Sequence, residues 1–167
     1  MKEKRSIVWV KRDLRTQDHL PFHQAELDSI DYLPIYIFES DLLSHPDTSE
    51  RHLQFIYRSI AQMNEVLSAY GREVIIFHTS AFEAFEYLAE QFDLDTIYSY
   101  QESGVQNTWN RDKTLKTFFR DLGISWREFE KDNVLRGIQN RADWDKIWYQ
   151  KIYEDILKND YSLTNHG

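Results

Sequence analysis

The chain has 167 residues, of which 41% are hydrophobic and 29% are charged, and its formal net charge is -8. This length predicts one domain with a hydrophobic core that is large enough to be stable without disulfide bonds. Because the sequence contains no cysteine, disulfides, thiolate metal sites and cysteine nucleophiles are excluded. No apolar run approaches the ~18 residues of a membrane span, and residues 1–5 lack the apolar stretch of a signal peptide. We therefore expect a soluble, cytoplasmic protein with no membrane partner.

The acidic balance is uneven along the chain. Residues 1–15 hold six basic and two acidic side chains, which leaves 14 basic and 26 acidic side chains in the remainder. Neutralisation of phosphates supplies most of the non-specific affinity of a protein for nucleic acid. A chain with a pI ≈ 5.2 and no basic stripe is therefore not expected to hold DNA or RNA by itself.

Five short runs rich in β-branched and aromatic residues predict strands. They cover residues 6–10, 33–38, 73–77, 96–100 and 124–129. Most of these runs are almost continuously apolar, which is typical of buried parallel strands.

Helical periodicity fills the intervals, over about residues 18–30, 49–70, 80–92 and 105–122. In the second of these helices the apolar side chains that recur at three and four positions are Phe55, Ile56, Ile60, Met63, Val66, Leu67 and Tyr70. Gly71 and Gly123 are the predicted C-caps, and Asp18 and Ser80 are the predicted N-caps.

This alternation predicts an α/β, Rossmann-like fold, a doubly wound five-stranded parallel sheet with helices on both faces. Ligands of such sheets bind beyond the carboxyl ends of the strands, where the strand order reverses. The segments that follow Val10, Phe38, Phe77 and Tyr100 are therefore the expected place for a site.

A last helical pattern covers residues 141–159. Its apolar side is formed by Trp144, Ile147, Trp148, Ile152 and Ile156. Two interpretations stay open at this point: the face packs on the flank of its own sheet, or it receives a further domain.

Several chemistries have no support in the sequence. Neither G-x-G-x-x-G nor G-x-x-x-x-G-K-[ST] occurs among the five glycines, which argues against a dinucleotide oxidoreductase and a P-loop nucleotidase. The sequence contains neither a Ser-His-Asp pattern nor a nucleophile elbow, so it gives no indication of hydrolytic activity. His19 and His23 have the spacing of metal ligands on a helix, but Pro21 lies between them and no third ligand follows at a readable distance. We predict no metal site.

Charge is unusually dense in residues 9–15, directly after the first strand. A purely structural interpretation pairs Arg15 with Asp13 and leaves Lys11 and Arg12 solvated. The position at the switch point favours a ligand instead.

Three blocks of the sequence resemble signatures of the photolyase and cryptochrome family. Residues 9–15 resemble the W-[FV]-[RK]-[RK]-D-L-R run that opens these proteins, with Asp18 in the place of the acidic residue that usually follows. Arg51 and Phe55 resemble the family's Arg four positions before a Phe in the long second helix. Residues 102–129 are similar to the E-T-G, T-Y-x-R-D and G-I-x-W-x-E-F motifs of bacterial members. The likeness covers residues 6 to about 150, and its last matching residues are Val134, Arg136, Arg141, Trp144 and Trp148.

The resemblance implies that residues 1–140 form the N-terminal α/β domain of a deoxyribodipyrimidine photolyase or a cryptochrome-like flavoprotein. Residues 141–167 then form a helix and the start of a linker to a helical domain. In the family, that helical domain holds FAD and receives the flipped pyrimidine dimer, which light-excited reduced FAD splits by electron transfer. We expect this chain to be a fragment without the FAD site, inactive alone, which meets damaged DNA only through the helical domain.

The resemblance also implies an antenna role, because the α/β domain of many members holds a folate, a deazaflavin or a second flavin such as FMN. The candidate binding residues, by position after the strands, are Val10, Lys11, Asp13, Phe38, Glu39 and Glu102. No catalytic residue is predicted. The simpler structural roles are the end of a core strand for Phe38, helix caps for Glu39 and Asp13, and an exposed loop position for Glu102.

Two other functions remain open, because a fold does not fix a function. One is a stand-alone nucleotide- or chromophore-binding sensor or scaffold module without repair activity. The other is a generic nucleotide-binding α/β domain. A fragment is expected to expose the face that carries Trp144 and Trp148, whereas an autonomous module is expected to bury it.

Overall fold

A computed structural model describes residues 1–28, 31–43, 49–102, 106–130 and 144–163. The strands are β1 (Lys4–Val10), β2 (Tyr32–Ile37), β3 (Ile75–Phe77), β4 (Asp93–Tyr100) and β5 (Ser125–Phe129). The helices are α1 (Leu20–Leu27), α2 (Ser40–Leu43), α3 (Glu50–Leu67), α4 (Ala81–Gln91), α5 (Gln106–Asp121) and α6 (Trp144–Ile152). A 3-10 turn at Ser68–Tyr70 extends α3. All five predicted strands are present, and the short helix α2 was not predicted.

All neighbouring strands pair in parallel, in the order β3-β2-β1-β4-β5. The prediction of a doubly wound α/β sheet is therefore confirmed. β1 lies at the centre, where Val8 is opposite Pro34 of β2 and Tyr98 of β4. The chain moves outward from β1 to β3 and then returns to the other side of β1. The order thus reverses between β1 and β4, and a ligand site is expected at their carboxyl ends.

Helices cover both faces of the sheet, as predicted. Successive residues of a strand point to opposite faces, so Val8 and Val10 enter one core while Ile7 and Trp9 enter the other. The core around Val8 packs under α1 and α3, and its helical members are Phe22, Ala25, Ile56, Ile60, Met63 and Leu67. The core around Trp9 packs under α4 and α5, and its helical members are Ala81, Ala84, Phe85, Leu88, Leu115 and Phe119.

Local signals place most helix ends where the sequence predicts them. Ser80 caps α4 in a capping box, because its hydroxyl accepts from the Glu83 amide while the Glu83 carboxylate accepts from the Ser80 amide. Gly71 and Gly123 have φ values of 72° and 73°, in the left-handed region that glycine enters without steric cost. Both glycines end their helices as predicted.

The apolar stripe of α3 is narrower than predicted. Ile56, Ile60, Met63 and Leu67 are buried, whereas Phe55 and Val66 are exposed. Each of these two residues lies one position from a buried one, which rotates its side chain by about 100° away from the core.

The start of α1 also differs from the prediction. The helix begins at Leu20, and its N-cap is His19, whose Nδ1 accepts from the Phe22 amide at 3.2 Å. Asp18 has a φ of 54°, in the left-handed region, so it cannot take the extended conformation of an N-cap. The prediction of Asp18 as the cap was therefore wrong by one residue.

β3 departs from the pattern of a fully buried strand. Ile75 and Ile76 are exposed, because β3 is at the edge of the sheet and has a neighbour only in β2.

The predicted C-terminal helix is shorter in the structure. α6 ends at Ile152, and Ile156 lies beyond it with 83% of its surface exposed. Ile152 is exposed and Trp148 is half-buried, while the side chains of Trp144 and Ile147 lie outside the described residues. The apolar face of residues 141–159 is therefore not packed on the sheet over its whole length. No helix in the described ranges is long and apolar enough to cross a membrane.

Candidate functional site

A cavity of about 450 Å³ opens at the carboxyl ends of β1 and β2, beside the switch point of the sheet. Residues that follow β1, β2 and β4 form its wall together with the N-terminal part of α3 and Arg111 of α5. Its polar wall is formed by Lys11, Arg12, Glu39, His52, Glu102 and Arg111, and its apolar wall includes Val10, Tyr36, Phe38, Leu53, Phe55 and Ile56. The cavity has the size and the mixed lining of a small-molecule site.

The amine of Lys11 is buried. The residue is 9% exposed, and its Nζ donates to the Tyr100 carbonyl oxygen at 3.3 Å. Nζ also lies 4.2 Å from the ring centroid of Trp9 and 5.3 Å from that of Trp126. Burial lowers the pKa of Lys11, because desolvation disfavours the ammonium form. The structural interpretation in which Lys11 is solvated is therefore wrong.

Asp13 supports the cavity from behind its wall. Its Oδ1 accepts from the backbone amide of Lys11 at 3.1 Å, and its Oδ2 lies 2.6 Å from Nε2 of His19. Because Nδ1 of His19 accepts from the Phe22 amide, the ring proton lies on Nε2 and is donated to Asp13. Asp13 and His19 are both buried, so this bond fixes the loop between β1 and α1.

Arg15 does not pair with Asp13 as the structural interpretation predicts. Its guanidinium instead donates to the carbonyl oxygen of Asp18 at 2.6 and 2.9 Å and lies 3.2 Å from the Asp18 carboxylate. This contact is at the surface, where ion pairs contribute little to stability.

Arg111 of α5 is the centre of a partly buried ionic cluster. Its guanidinium contacts Glu39 at 2.5 Å, Glu102 at 2.7 Å and Asp112 at 2.8 Å. Its Cζ also lies 4.8 Å from the ring centroid of Trp9. Although burial opposes ionisation, the three carboxylates raise the pKa of Arg111 above its ordinary value. The cluster joins the ends of β2 and β4 to α5 across the switch point.

Glu102 is buried and ionised. Burial opposes the charged form, but Arg111, Lys11 and Arg12 hold the pKa of Glu102 below its ordinary value. Arg12 reaches over the cavity from an exposed position, with its Nε 3.2 Å from Oε1 of Glu102. The cavity therefore presents carboxylate oxygens whose charge is balanced from behind.

The apolar wall is aromatic. The rings of Tyr36 and Phe38 meet edge to face with centroids 4.8 Å apart, and Phe38 stacks on His78 with centroids 5.5 Å apart. Burial raises the pKa of Tyr36 to about 12, with Glu102 adding to the effect, so the phenol is neutral over the physiological range. Such a wall offers flat apolar surface to a planar ring.

The structure brings the predicted candidate residues together. Val10, Lys11, Phe38, Glu39 and Glu102 line the cavity, and Asp13 braces it without lining it. Glu102 is buried rather than exposed. Glu39 directly precedes α2, where its carbonyl oxygen accepts from the Leu43 amide at 3.0 Å, and its carboxylate pairs with Arg111. Their roles in binding stay predictions.

Sequence reasoning missed three contributors, namely Arg111, His19 and Trp9. Arg111 and Trp9 each stand in a block that carries the family resemblance, so that resemblance was an available signal for both. His19 had only the misleading spacing to His23 as a signal. Among the described residues, no group of three His, Asp or Glu side chains could hold a metal ion. The motif residues Ser103, Gly104, Val134, Arg136 and Arg141 lie outside the described residues.

Comparisons with known proteins agree on one family. The model of the family described as DNA photolyase matches residues 6–147. Two relatives by sequence are the blue-light photoreceptor PHR2 of Arabidopsis thaliana, 21% identical over 74% of this chain, and cryptochrome DASH of a Synechocystis species, 23% identical over 94% of it. These alignments cover 29% and 33% of the relatives, so this chain spans about a third of their length.

Solved structures share the fold. A bacterial class III photolyase from Agrobacterium tumefaciens matches with a TM-score of 0.78 and 21% identity, over 98% of this chain and 36% of that one. A Synechocystis cryptochrome also matches at 0.78, with 18% identity over 98% of this chain and 40% of that one. An archaeal photolyase from Sulfolobus tokodaii, solved with two FAD molecules that imply a novel light-harvesting cofactor in that protein, matches at 0.77, with 18% identity over 96% and 38%. At these identities the likeness shows the fold.

Proposed function

The chain belongs to the DNA photolyase family, and we propose that its α/β domain binds an antenna chromophore in the cavity at the carboxyl ends of β1 and β2. The observation that carries the proposal is the position of this cavity beside the switch point, with carboxylates on one wall and aromatic rings on the other. A folate, a deazaflavin or FMN is the ligand class. Such a group absorbs light and passes the excitation to a flavin.

The residues of the cavity fit a planar heterocycle. Phe38 and Tyr36 offer ring surface, and the carboxylates of Glu39 and Glu102 accept hydrogen bonds from the ring N–H groups that pterins and flavins carry. Arg111 forms ion pairs with both carboxylates and so balances their charge. A cavity of about 450 Å³ has the volume of typical small-molecule sites.

The charges of the cavity favour ring recognition over phosphate recognition. The amine of Lys11 is directed at a carbonyl oxygen and two indole rings, and Arg111 is surrounded by three carboxylates. Arg12 already contacts Glu102. A ligand phosphate would have to compete with these partners, so we expect FMN and riboflavin to bind with similar affinity.

We further propose that the domain works within a longer light-dependent flavoprotein. The sites for FAD and for damaged DNA would lie in a helical domain that this chain does not include. This part of the proposal rests on the family and on the resemblance of residues 6 to about 150.

Near-ultraviolet and blue absorption and fluorescence spectra of the purified chain test the antenna proposal, before and after addition of folate, deazaflavin, FMN and riboflavin. We expect one of them to bind with a shifted band, and Glu102→Gln or Phe38→Ala to weaken that binding by about tenfold. Glu86→Gln, on the exposed side of α4, is the matched control and leaves binding unchanged. No spectral change with any of the four compounds would overturn the proposal.

A further inference from the structure

The residues that follow α6 bind back onto the loop that braces the cavity. We define residues 157–163 as the strap. Within the strap, Asn159 is 4% exposed, and its side chain forms hydrogen bonds on both sides of the His19 backbone. The His19 amide donates to Oδ1 of Asn159 at 2.8 Å, and Nδ2 of Asn159 donates to the His19 carbonyl oxygen at 2.9 Å.

The strap follows the loop before α1 for several residues. The Asp18 amide donates to the Leu157 carbonyl oxygen at 3.0 Å. The side-chain amide of Gln17 exchanges two 3.0 Å hydrogen bonds with the backbone of Asn159. The Tyr161 hydroxyl donates to the Thr16 carbonyl oxygen at 2.5 Å.

The far end of the strap is anchored independently of this loop. Ser162 donates from its amide and its hydroxyl to the Glu26 carboxylate, at 3.0 and 2.6 Å. The guanidinium of Arg72 donates to the Ser162 carbonyl oxygen and lies 3.2 Å from Glu26. The strap is therefore held on α1 even without the contacts of Asn159.

A continuous chain of hydrogen bonds leads from Asn159 to the cavity wall. Asn159 holds the backbone of His19, Nε2 of His19 donates to Asp13, and Asp13 accepts from the backbone amide of Lys11. All four residues are buried. A buried asparagine side chain must satisfy a donor and an acceptor at once, which an apolar residue packed at the same place would not need. Its two bonds therefore fix the position of His19 rather than merely covering it.

We propose that Asn159 is a positioning residue for the cavity, which acts through His19 and Asp13 on the backbone of Lys11. The strap thereby couples the chain beyond α6 to the carboxyl end of β1. Of the experiments that test this inference, only the measurement of ligand affinity rests on the proposed function.

Amide hydrogen exchange of the full chain without ligand tests the coupling. In Asn159→Ala we expect the Lys11 amide to exchange about tenfold faster, since the bonds that orient its acceptor are loosened. The Val8 amide, in the middle of β1, reports global opening and is expected to change much less. Lys158→Ala, an exposed neighbour on the same strap, is the matched control and leaves the Lys11 amide unchanged.

A second variant separates positioning by Asn159 from simple docking of the strap. Tyr161→Phe removes a strap bond to Thr16 and leaves the bonds of His19 intact. We expect no faster exchange of the Lys11 amide in this variant. If Tyr161→Phe accelerates it as much as Asn159→Ala, or if Val8 and Lys11 accelerate equally, the inference is overturned. If Asn159→Ala does not fold, Asn159→Asp is used, which keeps the acceptor for the His19 amide and loses the donor to the His19 carbonyl.

The ligand arm measures affinity in the same variants. With whichever of FMN, riboflavin, folate or deazaflavin binds the wild-type chain, Asn159→Ala is expected to weaken binding about fivefold, and the ligand is expected to slow exchange at His19 by the same factor. Binding by the wild-type chain with no effect of Asn159→Ala would overturn the inference alone. Failure of the wild-type chain to bind any of these ligands would overturn the proposed function, and the exchange of Lys11 without ligand would still decide the inference.

Discussion

Two loops that connect a strand to a helix differ sharply in this molecule. The loop between β3 and α4 has three residues, and its Ser80 closes the helix with a capping box at the surface. The loop between β1 and α1 has nine residues and carries buried Lys11, Asp13 and His19. The loop before α4 is short and supplies only the hydrogen bonds that a helix end requires. The loop before α1 also buries ionisable groups, which are not needed to connect a strand to a helix.

The difference indicates where the sheet is adapted for a ligand. Burial of charged groups is unfavourable unless each is paired, so stability alone does not explain a cluster of this kind. The buried groups of this loop lie at the carboxyl end of β1, beside the point where the strand order reverses, whereas the loop before α4 follows β3 at the edge of the sheet. The ionic cluster around Arg111 contacts the first loop through the ion pair of Arg12 with Glu102. Substitutions in this cluster and in the loop before α4 should therefore differ in the size of their effects and in their dependence on pH.

The largest effect is expected at Arg111. In Arg111→Met the largely buried carboxylates of Glu39 and Glu102 lose their shared cation, so the free energy of unfolding should fall by about 3 kcal/mol. Urea denaturation followed by circular dichroism measures this change. Arg120→Met, which removes an exposed arginine from the same helix, should cost less than about 0.5 kcal/mol. Equal losses in the two variants would contradict a structural role for the cluster.

A smaller, pH-dependent effect is expected at Glu102. In Glu102→Gln the loss at neutral pH should be about 2 kcal/mol, because charged hydrogen bonds to Arg111 become neutral ones. The pKa of Glu102 in the folded protein lies below its ordinary value of 4.5, so on acidification the unfolded chain takes up the proton first. Protonation therefore favours unfolding, and the stabilising contribution of Glu102 is lost as the pH falls through the folded-state pKa.

Urea titrations of both proteins across the acidic range measure this dependence. The difference between wild type and Glu102→Gln should be largest above the ordinary pKa and should shrink toward zero in strong acid. A difference that stays constant with pH would show that the charge of Glu102 contributes nothing.

The smallest effect is expected in the loop before α4. Ser80→Ala removes the hydroxyl that accepts from the Glu83 amide and should lower the free energy of unfolding by about 1 kcal/mol. This loss should be independent of ligand, because Ser80 does not line the cavity. A change in ligand affinity in Ser80→Ala would weaken the distinction between the two loops.

Much of the fold could be predicted because its signals are local. Apolar runs mark all five strands, and Gly71, Gly123 and Ser80 mark helix ends through the conformations and bonds that they favour. The predictions fail where a distant segment intervenes. The N-cap of α1 is His19 rather than Asp18, and the backbone of His19 is bonded on both sides by Asn159, a contact that no local sequence pattern indicates.

The position of the site could be predicted, but the ion-pair and hydrogen-bond partners of its residues could not. Val10, Lys11, Phe38, Glu39 and Glu102 could be chosen from the ends of strands, since parallel strands end at one edge of a sheet. Their partners come from other elements: Arg111 reaches them from α5, and Asp13 turns to His19 instead of Arg15. Such partners depend on tertiary geometry, and the periodicity of a single sequence does not contain it.

The central place of β1 has a consequence for how the chain is made. Val8 pairs with Pro34, which leaves the ribosome soon afterwards, and with Tyr98, which emerges only after much of the chain has been synthesised. Until then β1 has one open edge, and the face that carries Ile7 and Trp9 lacks the helices α4 and α5 that later cover it. We expect the nascent chain to depend on chaperones during this interval, because unpaired edges and uncovered apolar faces favour aggregation.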